Sequence, residues 1–497
     1  MLFNSYQFLL FYPVVLLIFI FTPKRWEKCR QVWLLFCSLF FYSCWNPLHL
    51  PLLLICIITT YICALFIGRS ESIRKKQLAV ALGALITFGL LFFFKYSGFF
   101  ADTVNFIFSL SGRENVIQRP DVMLPVGISF YTFQSVGYMI DVYRKDIPPE
   151  KDFIKYALFV SFFPQLVAGP IERSKNILVQ IDDVCRNYRF DYENAKRGFI
   201  YMMWGFFLKM VIADRISILV DEIFDRYHSY GSIVLAAGVI SFSIQIYCDF
   251  ASYSSIAVGS AQILGFTLME NFETPYFSTS IRDFWRRWHI SLSTWFRDYL
   301  YIPLGGSRCS RLKKYRNIMI TFLVSGLWHG ADWTFVLWGG LHGLYQVTAD
   351  LTKKPREKLC SFFQIDTKSF GHRLFLMTGT FALTSFAWLF FRADSIGDAL
   401  LFVNRLFTHF DPWTLTDGSL YTLGLDTAQM HILWGALLIL AAVSILRYKR
   451  KIRIDSFICS QGPLFQVLSV YLLLMTVIIF GRYGASDEMN AFIYFRF

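Results

Sequence analysis

The sequence predicts an all-α, polytopic membrane protein of about eleven or more transmembrane helices, several of them short or re-entrant. Three observations predict it. The 497 residues are 55% hydrophobic and 19% aromatic, and only 17% are charged, against about 25% in soluble domains; mean hydropathy is +0.45. Hydrophobic runs recur from one end to the other, so one integral-membrane domain over residues 1–497 is simpler than a string of soluble domains. The net charge of +13 sits in short basic runs between the hydrophobic segments, as cytoplasmic loops require. It forms no stripe on a soluble surface, so membrane lipid is an expected partner and nucleic acid is not.

Residues 6–21 form the first segment. Lys24, Arg25, Lys28 and Arg30 follow it and put that loop inside and the N-terminus outside. No basic region precedes this apolar run, so a cleavable signal peptide is not expected. Segments 32–45 and 50–67 form a hairpin around Asn46-Pro47 and end at Arg69, Arg74, Lys75 and Lys76, inside again. Residues 78–94 cross back, and the polar stretch 97–122 is expected outside. Segment 124–142 carries Pro125, Gly127, Ser129, Thr132, Gln134 and Ser135. It reads either as the wall of a polar channel or as a helix that packs through small and hydroxyl residues. Segment 153–171 ends at a Gly-Pro, after which Glu172 and Arg173 read as a local charged pair rather than Glu172 as a catalytic acid. Segment 198–220 holds Lys209 and Asp214, five apart and therefore not ideal partners on an α-helix. Segment 233–249 ends at Asp249, a candidate orienter for a catalytic histidine and equally a buried structural hydrogen-bonding group.

Two histidine motifs follow. RDFWRRWHISLSTWFRDYLYIPLGG carries His289, and SGLWHGADWTFVLWGGLHG carries His329. On one unbroken helix Arg282, Arg286, His289, Ser293 and Arg297 share a face, with Trp285, Trp288, Leu292, Trp295 and Tyr299 on the adjacent one. Trp on one side and Arg on the other suit a membrane surface. His329 lies about a dozen residues past the basic loop 308–316, hence roughly 15–20 Å into the bilayer at ~1.5 Å of rise per residue. An ionisable group at that depth is a functional candidate. From the residues alone it is either a catalytic base or a buried histidine bonded to a backbone carbonyl such as that of Ser325. Segment 333–348 returns to the basic loop 353–358, and the short first arm of this hairpin points to a re-entrant element ending near Gly330. Segment 373–391 leads out to the Asp-bearing loop 393–430, segment 431–446 returns to the basic run 447–453, and 465–480 exits, leaving FIYFRF outside.

The stretches RRWHISLS and LWHGA, together with MLFNSYQFLLF, LPVGISFYTFQSVGYMIDVYR, FFPQLVAGPIER and FIYFRF, resemble the membrane-bound O-acyltransferase family, in its branch that O-acetylates bacterial surface polysaccharides. The fragments occur in the family's order and span nearly the whole chain. The resemblance implies a ring of helices around a central passage, in a bacterial cytoplasmic membrane. It implies that His329 is the catalytic base and that His289 is a second functional position near the donor entrance. It also implies an extracytoplasmic, serine-hydrolase-like acetyltransferase partner that passes the group to a polysaccharide such as alginate.

Acyl transfer from a thioester to a hydroxyl needs a base, and neutral imidazole titrates near working pH. Arg282, Arg286 and Arg297 suit the phosphates of a coenzyme A donor, which makes acetyl-CoA the expected donor substrate, with no tightly bound cofactor. Ser325, Asp249 and Gln134 are candidates for orienting or channel-lining roles. His342, thirteen residues after His329, reads as packing. The ten cysteines show no paired spacing, so neither a zinc site nor disulfides are expected. No G-x-S-x-G and no P-loop occur, so the chain carries neither a serine-hydrolase elbow nor a nucleotide cradle. Two other classes fit the same broken, polar spans: a transporter of a small acyl metabolite or polymer precursor, and transfer of D-alanine to teichoic acid.

Overall fold

A helix in lipid satisfies its own backbone groups, and the computed structural model, which describes residues 1–113, 116–483 and 492, is built from helices throughout its described residues. Among the described residues, six helices are individually long and apolar enough to cross a membrane: Pro47–Arg69, Ile73–Ser109, Ser232–Ile263, Phe370–Arg392, Thr427–Arg450 and Pro463–Phe480. Tyr6–Phe21 and Lys24–Ser43, bent by 115° at their junction, supply a seventh if they count as one span. The remaining hydrophobic segments are shorter helices or carry charge.

The chain divides into two compact units, Met1–Met202 with Tyr253–Met269, and Met203–Ser252 with Glu270–Phe497. In the first, the helix expected to end near residue 94 instead continues through a π-helical stretch, Phe92–Tyr96, to Ser109. Nothing in SGFFADTVNFIFS stops it: Gly98 alone costs about 1 kcal/mol, and the turn comes at Gly112, whose φ is +76°. The polar segment 124–142 becomes the helix Ile128–Arg144. It begins at Gly127, where φ is +75° and a Cβ would lie 2.7 Å from the Leu166 carbonyl oxygen. Every residue from Ile128 to Met139 is buried. Gln134 donates through Nε2 to the Phe159 carbonyl at 2.7 Å.

Six helices build the second unit's centre. They are α1 (Ser232–Ile263, its residues to Ser252 in this unit), α2 (Ile281–Arg287), α3 (Ile290–Phe296), α4 (Arg311–His329), α5 (Trp333–Leu351) and α6 (Phe370–Arg392). The hairpin α4–α5 packs backbone to backbone. A Cβ on Gly326 would lie 2.3 Å from the Phe335 carbonyl oxygen, and one on Gly339 would lie 2.3 Å from that of Phe322. Such small-residue contact, rather than water exclusion, is what holds helices together in lipid. One end of the unit gathers basic groups. Lys314 pairs with Asp350 at 2.9 Å, Lys451 with Glu273 at 3.0 Å, and Arg447 with Glu270. Past the other end of α4, Arg392 pairs with Asp221 at 2.8 Å. Of the FIYFRF end, only Phe492 is among the described residues.

Candidate active site

The segment 281–301 is not one amphipathic helix. Ser280 caps α2 by accepting from the Asp283 amide at 3.2 Å. The helix stops after Arg287, Trp288 is extended, and His289 takes φ 44°, ψ 55° before α3 begins. Histidine is among the non-glycine residues most often found in this left-handed region, and such conformations persist only where their surroundings impose them. Asn271 imposes it here: its carbonyl accepts from the Ile290 amide at 3.0 Å and its side-chain oxygen from the Ser291 amide at 3.2 Å. The face of Trp and Leu is core, not membrane surface: Trp285, Trp288, Leu292 and Trp295 are all buried. A further π-helical stretch, Arg297–Tyr301, follows α3.

The break turns His289 away from the arginines and into the protein, where it is 0% exposed. There it meets His329, 2% exposed and the last residue of α4. The two ring centroids are 6.3 Å apart. Phe250 of α1 lies against His289 at 4.6 Å. Trp338 of α5 lies against His329 at 4.9 Å, Trp328 at 5.0 Å, and Phe391 of α6 at 5.7 Å. Two histidines forty residues apart in sequence thus form one pair inside an aromatic box. α4 is continuous from the basic loop to His329, and the 13 residues from Arg316 span about 20 Å of helix rise.

A cleft of about 600 Å³ lies near this pair, lined by Arg282, Arg286, Arg297, Lys314, Ser293 and Ser325 among others but by neither histidine. The three arginines therefore share a cleft although they do not share a helix. Arg297 pairs with Asp298 at 2.8 Å, and Arg282 approaches Asp350 at 3.9 Å. Arg286 is exposed and has no ion pair among the described residues. The cleft's inner lining includes Ile290, next to His289, and Ser325, one turn before His329. Lys314, eleven residues before Ser325, stands about 16 Å away along α4. Trp285 also lines the cleft and donates through Nε1 to His342 Nδ1 at 3.2 Å, so His342 holds a wall of the cleft.

Asp249 takes a partner of its own. Its Oδ1 accepts from Lys209 Nζ at 2.7 Å, and Lys209 also pairs with Asp214 at 2.8 Å. The five-residue spacing that is wrong for an α-helix suits the π-helical stretch Phe207–Ala213, where i→i+5 neighbours align. Asp249 stands one residue before Phe250, the ring against His289. Gln134 belongs to the other unit. Asn271 and Phe250 lie outside the two histidine motifs, and Trp338, inside the second, carries no sign of its role; only the tertiary contacts bring them to the histidines.

Residues 144–383, which carry both histidines, match the model of MBOAT, the membrane-bound O-acyltransferase family. The chain is 37% identical over 451 residues to the "probable alginate O-acetylase" of Azotobacter vinelandii, covering 90% of this chain and 85% of that one. It is 36% identical over 398 residues to the peptidoglycan O-acetyltransferase of Helicobacter pylori, covering 74% and 72%. With the teichoic acid D-alanyltransferase of Streptococcus thermophilus it shares 30% identity over 246 residues, covering 47% and 59%. A family model spanning both histidine motifs, and relatives aligned over most of the chain, decide between transferase and transporter: the protein belongs to the membrane-bound O-acyltransferase family and is a multi-pass membrane O-acyltransferase.

Proposed function

We propose that the protein takes an acyl group, acetyl in the first instance, from a cytoplasmic thioester such as acetyl-CoA and delivers it across a bacterial cytoplasmic membrane for O-acetylation of a cell-surface or exported polysaccharide. The observation that carries this reading is the His289–His329 pair, 6.3 Å between ring centroids, beside a cleft whose rim holds Arg282, Arg286, Arg297 and Lys314. Guanidinium groups bind phosphates in fork geometry, and a thin pantetheine-like arm suits the distance from that rim to Ser325. His329 then accepts the proton of the attacking hydroxyl as that oxygen adds to the thioester carbonyl. The tetrahedral adduct expels the thiolate, the C–S bond breaks, and the proton passes from His329 to sulfur. His289 offers a ring N–H to the carbonyl oxygen, where negative charge develops.

The acceptor side rests on the relatives, whose names specify alginate and peptidoglycan O-acetylation. An extracytoplasmic, serine-hydrolase-like partner that carries the group to the polymer completes the reading. The test is single-turnover transfer from radiolabelled acetyl-CoA by purified protein. Wild type should consume thioester in the presence of a hydroxyl acceptor, and His329→Ala should lose at least a hundredfold in rate with unchanged thermal stability. Full activity in His329→Ala would remove the proposed base.

A further inference from the structure

A second cleft, of about 490 Å³, lies beyond the other end of α4 from the arginine rim. Four carboxylates, Asp221, Asp225, Asp332 and Asp394, line it with a single guanidinium, Arg392. The formal sum is four negative charges against one positive, a net of minus three. Arg392 is already engaged, at 2.8 Å from Asp221, 3.4 Å from Asp225 and 3.8 Å from Asp394. Asp225 and Asp394 remain largely exposed, with 62% and 84% of their side chains open.

A second observation points to a ligand. Gln245 also lines this cleft. It is 8% exposed, and its side-chain oxygen is buried with no hydrogen-bond partner among the described residues. A buried amide left in this state is costly to the fold unless something that enters the cleft completes it. Gln245 sits on α1 five residues before Phe250, about 7.5 Å along the helix axis, and Phe250 packs on His289. The cleft floor includes Phe391, which touches the His329 ring at 5.7 Å and Phe335 at 4.8 Å. Phe391 thus links the lining of the cleft directly to the His329 ring.

We infer that this cleft docks a positively charged, hydroxyl-bearing peptide segment of the partner protein, with Gln245 binding the incoming segment, and that its acidic rim keeps a polyanionic polymer out. The inference rests on the relay reading above. A uronate polymer carries one carboxylate per sugar and meets like charge at this mouth, whereas a Lys- or Arg-flanked serine meets complementary charge. The step at the histidines is a balanced exchange. The serine oxygen bonds to the acyl carbon, the carbon–sulfur bond breaks, and the hydroxyl proton leaves on the thiol. The polymer would then receive its ester from the partner, outside this chain.

The experiment uses the full chain in lipid nanodiscs with radiolabelled acetyl-CoA and three acceptor probes. These are a synthetic peptide with serine flanked by lysines, the same peptide with glutamates in place of the lysines, and an oligouronate. The lysine peptide should show an apparent KM at least tenfold below that of the glutamate peptide, a difference that shrinks as salt screens it, and the oligouronate should be the poorest acceptor. Asp225→Lys combined with Asp394→Lys should reverse the order of the two peptides, and Gln245→Leu should raise KM for both. Equal use of the two peptides, or preferential acylation of the oligouronate, would overturn the docking inference while leaving the transferase reading intact. Failure to consume thioester with any acceptor would instead strike the transferase reading.

Discussion

At the residue scale, the two histidines were legible from their motifs, but the conformation of His289 was not. The spacing of Arg282, Arg286, His289, Ser293 and Arg297 fits an unbroken helix, and nothing local forbids one. The break is tertiary, set by Asn271 and by the burial of Trp288. Asn271→Ala should therefore free the first turn of α3 and let His289 relax, at about 1 kcal/mol of stability. Turnover should fall several-fold while donor KM stays near wild type; an unchanged kcat would show that His289 needs no such support. Arg286 is the cleanest probe of the donor rim, because removing it orphans no carboxylate among the described residues. Arg286→Glu should raise donor KM about tenfold or more with kcat for bound donor preserved. Donor affinity that is identical across ionic strengths would confine the arginines to a role at the membrane surface.

At the element scale, hydrophobic runs and glycine punctuation located the helices, and the hairpin around His329 was visible from the basic loops at its two ends, although its first arm, expected to be short, equals the second at 19 residues. What escaped was where helices depart from α geometry. Lys209 and Asp214, five apart, look mismatched until the π-helical stretch aligns them, and the extension through Ser97–Ser109 crosses a second such stretch. The buried group of Lys209, Asp214 and Asp249 makes a sharp prediction. Lys209→Met removes the cation that both carboxylates share and should cost about 3–5 kcal/mol, read as loss of folded protein on size exclusion. Adding Asp214→Asn and Asp249→Asn should recover much of it, since a buried pair replaced as a unit is often nearly neutral. In the hairpin, Gly326→Ala drives a methyl to 2.3 Å from the Phe335 carbonyl oxygen. Overpacking of this kind costs about 1–3 kcal/mol, and here the displaced helix end carries His329, so activity should fall further than the melting temperature suggests.

At the scale of the whole molecule, charge organises function along one axis. Within the second unit, the basic loop before α4 and the arginine cleft lie at one end of that helix, and the acidic cleft lies past its other end. The paired histidines stand between them, about 20 Å of helix rise from Arg316. The positive-inside pattern gives the expected sidedness, but pairing the histidines required α2, α3, α4 and α5 to be packed together. The central claim is a relay with donor and acceptor on opposite faces. It is tested most directly in vesicles of known orientation, with acetyl-CoA supplied to one side only. Transfer should occur when the donor is on the side of Arg447–Arg453 and the acceptor is on the other, and His329→Ala vesicles should show none. Equal transfer with donor and acceptor on the same side would contradict the relay.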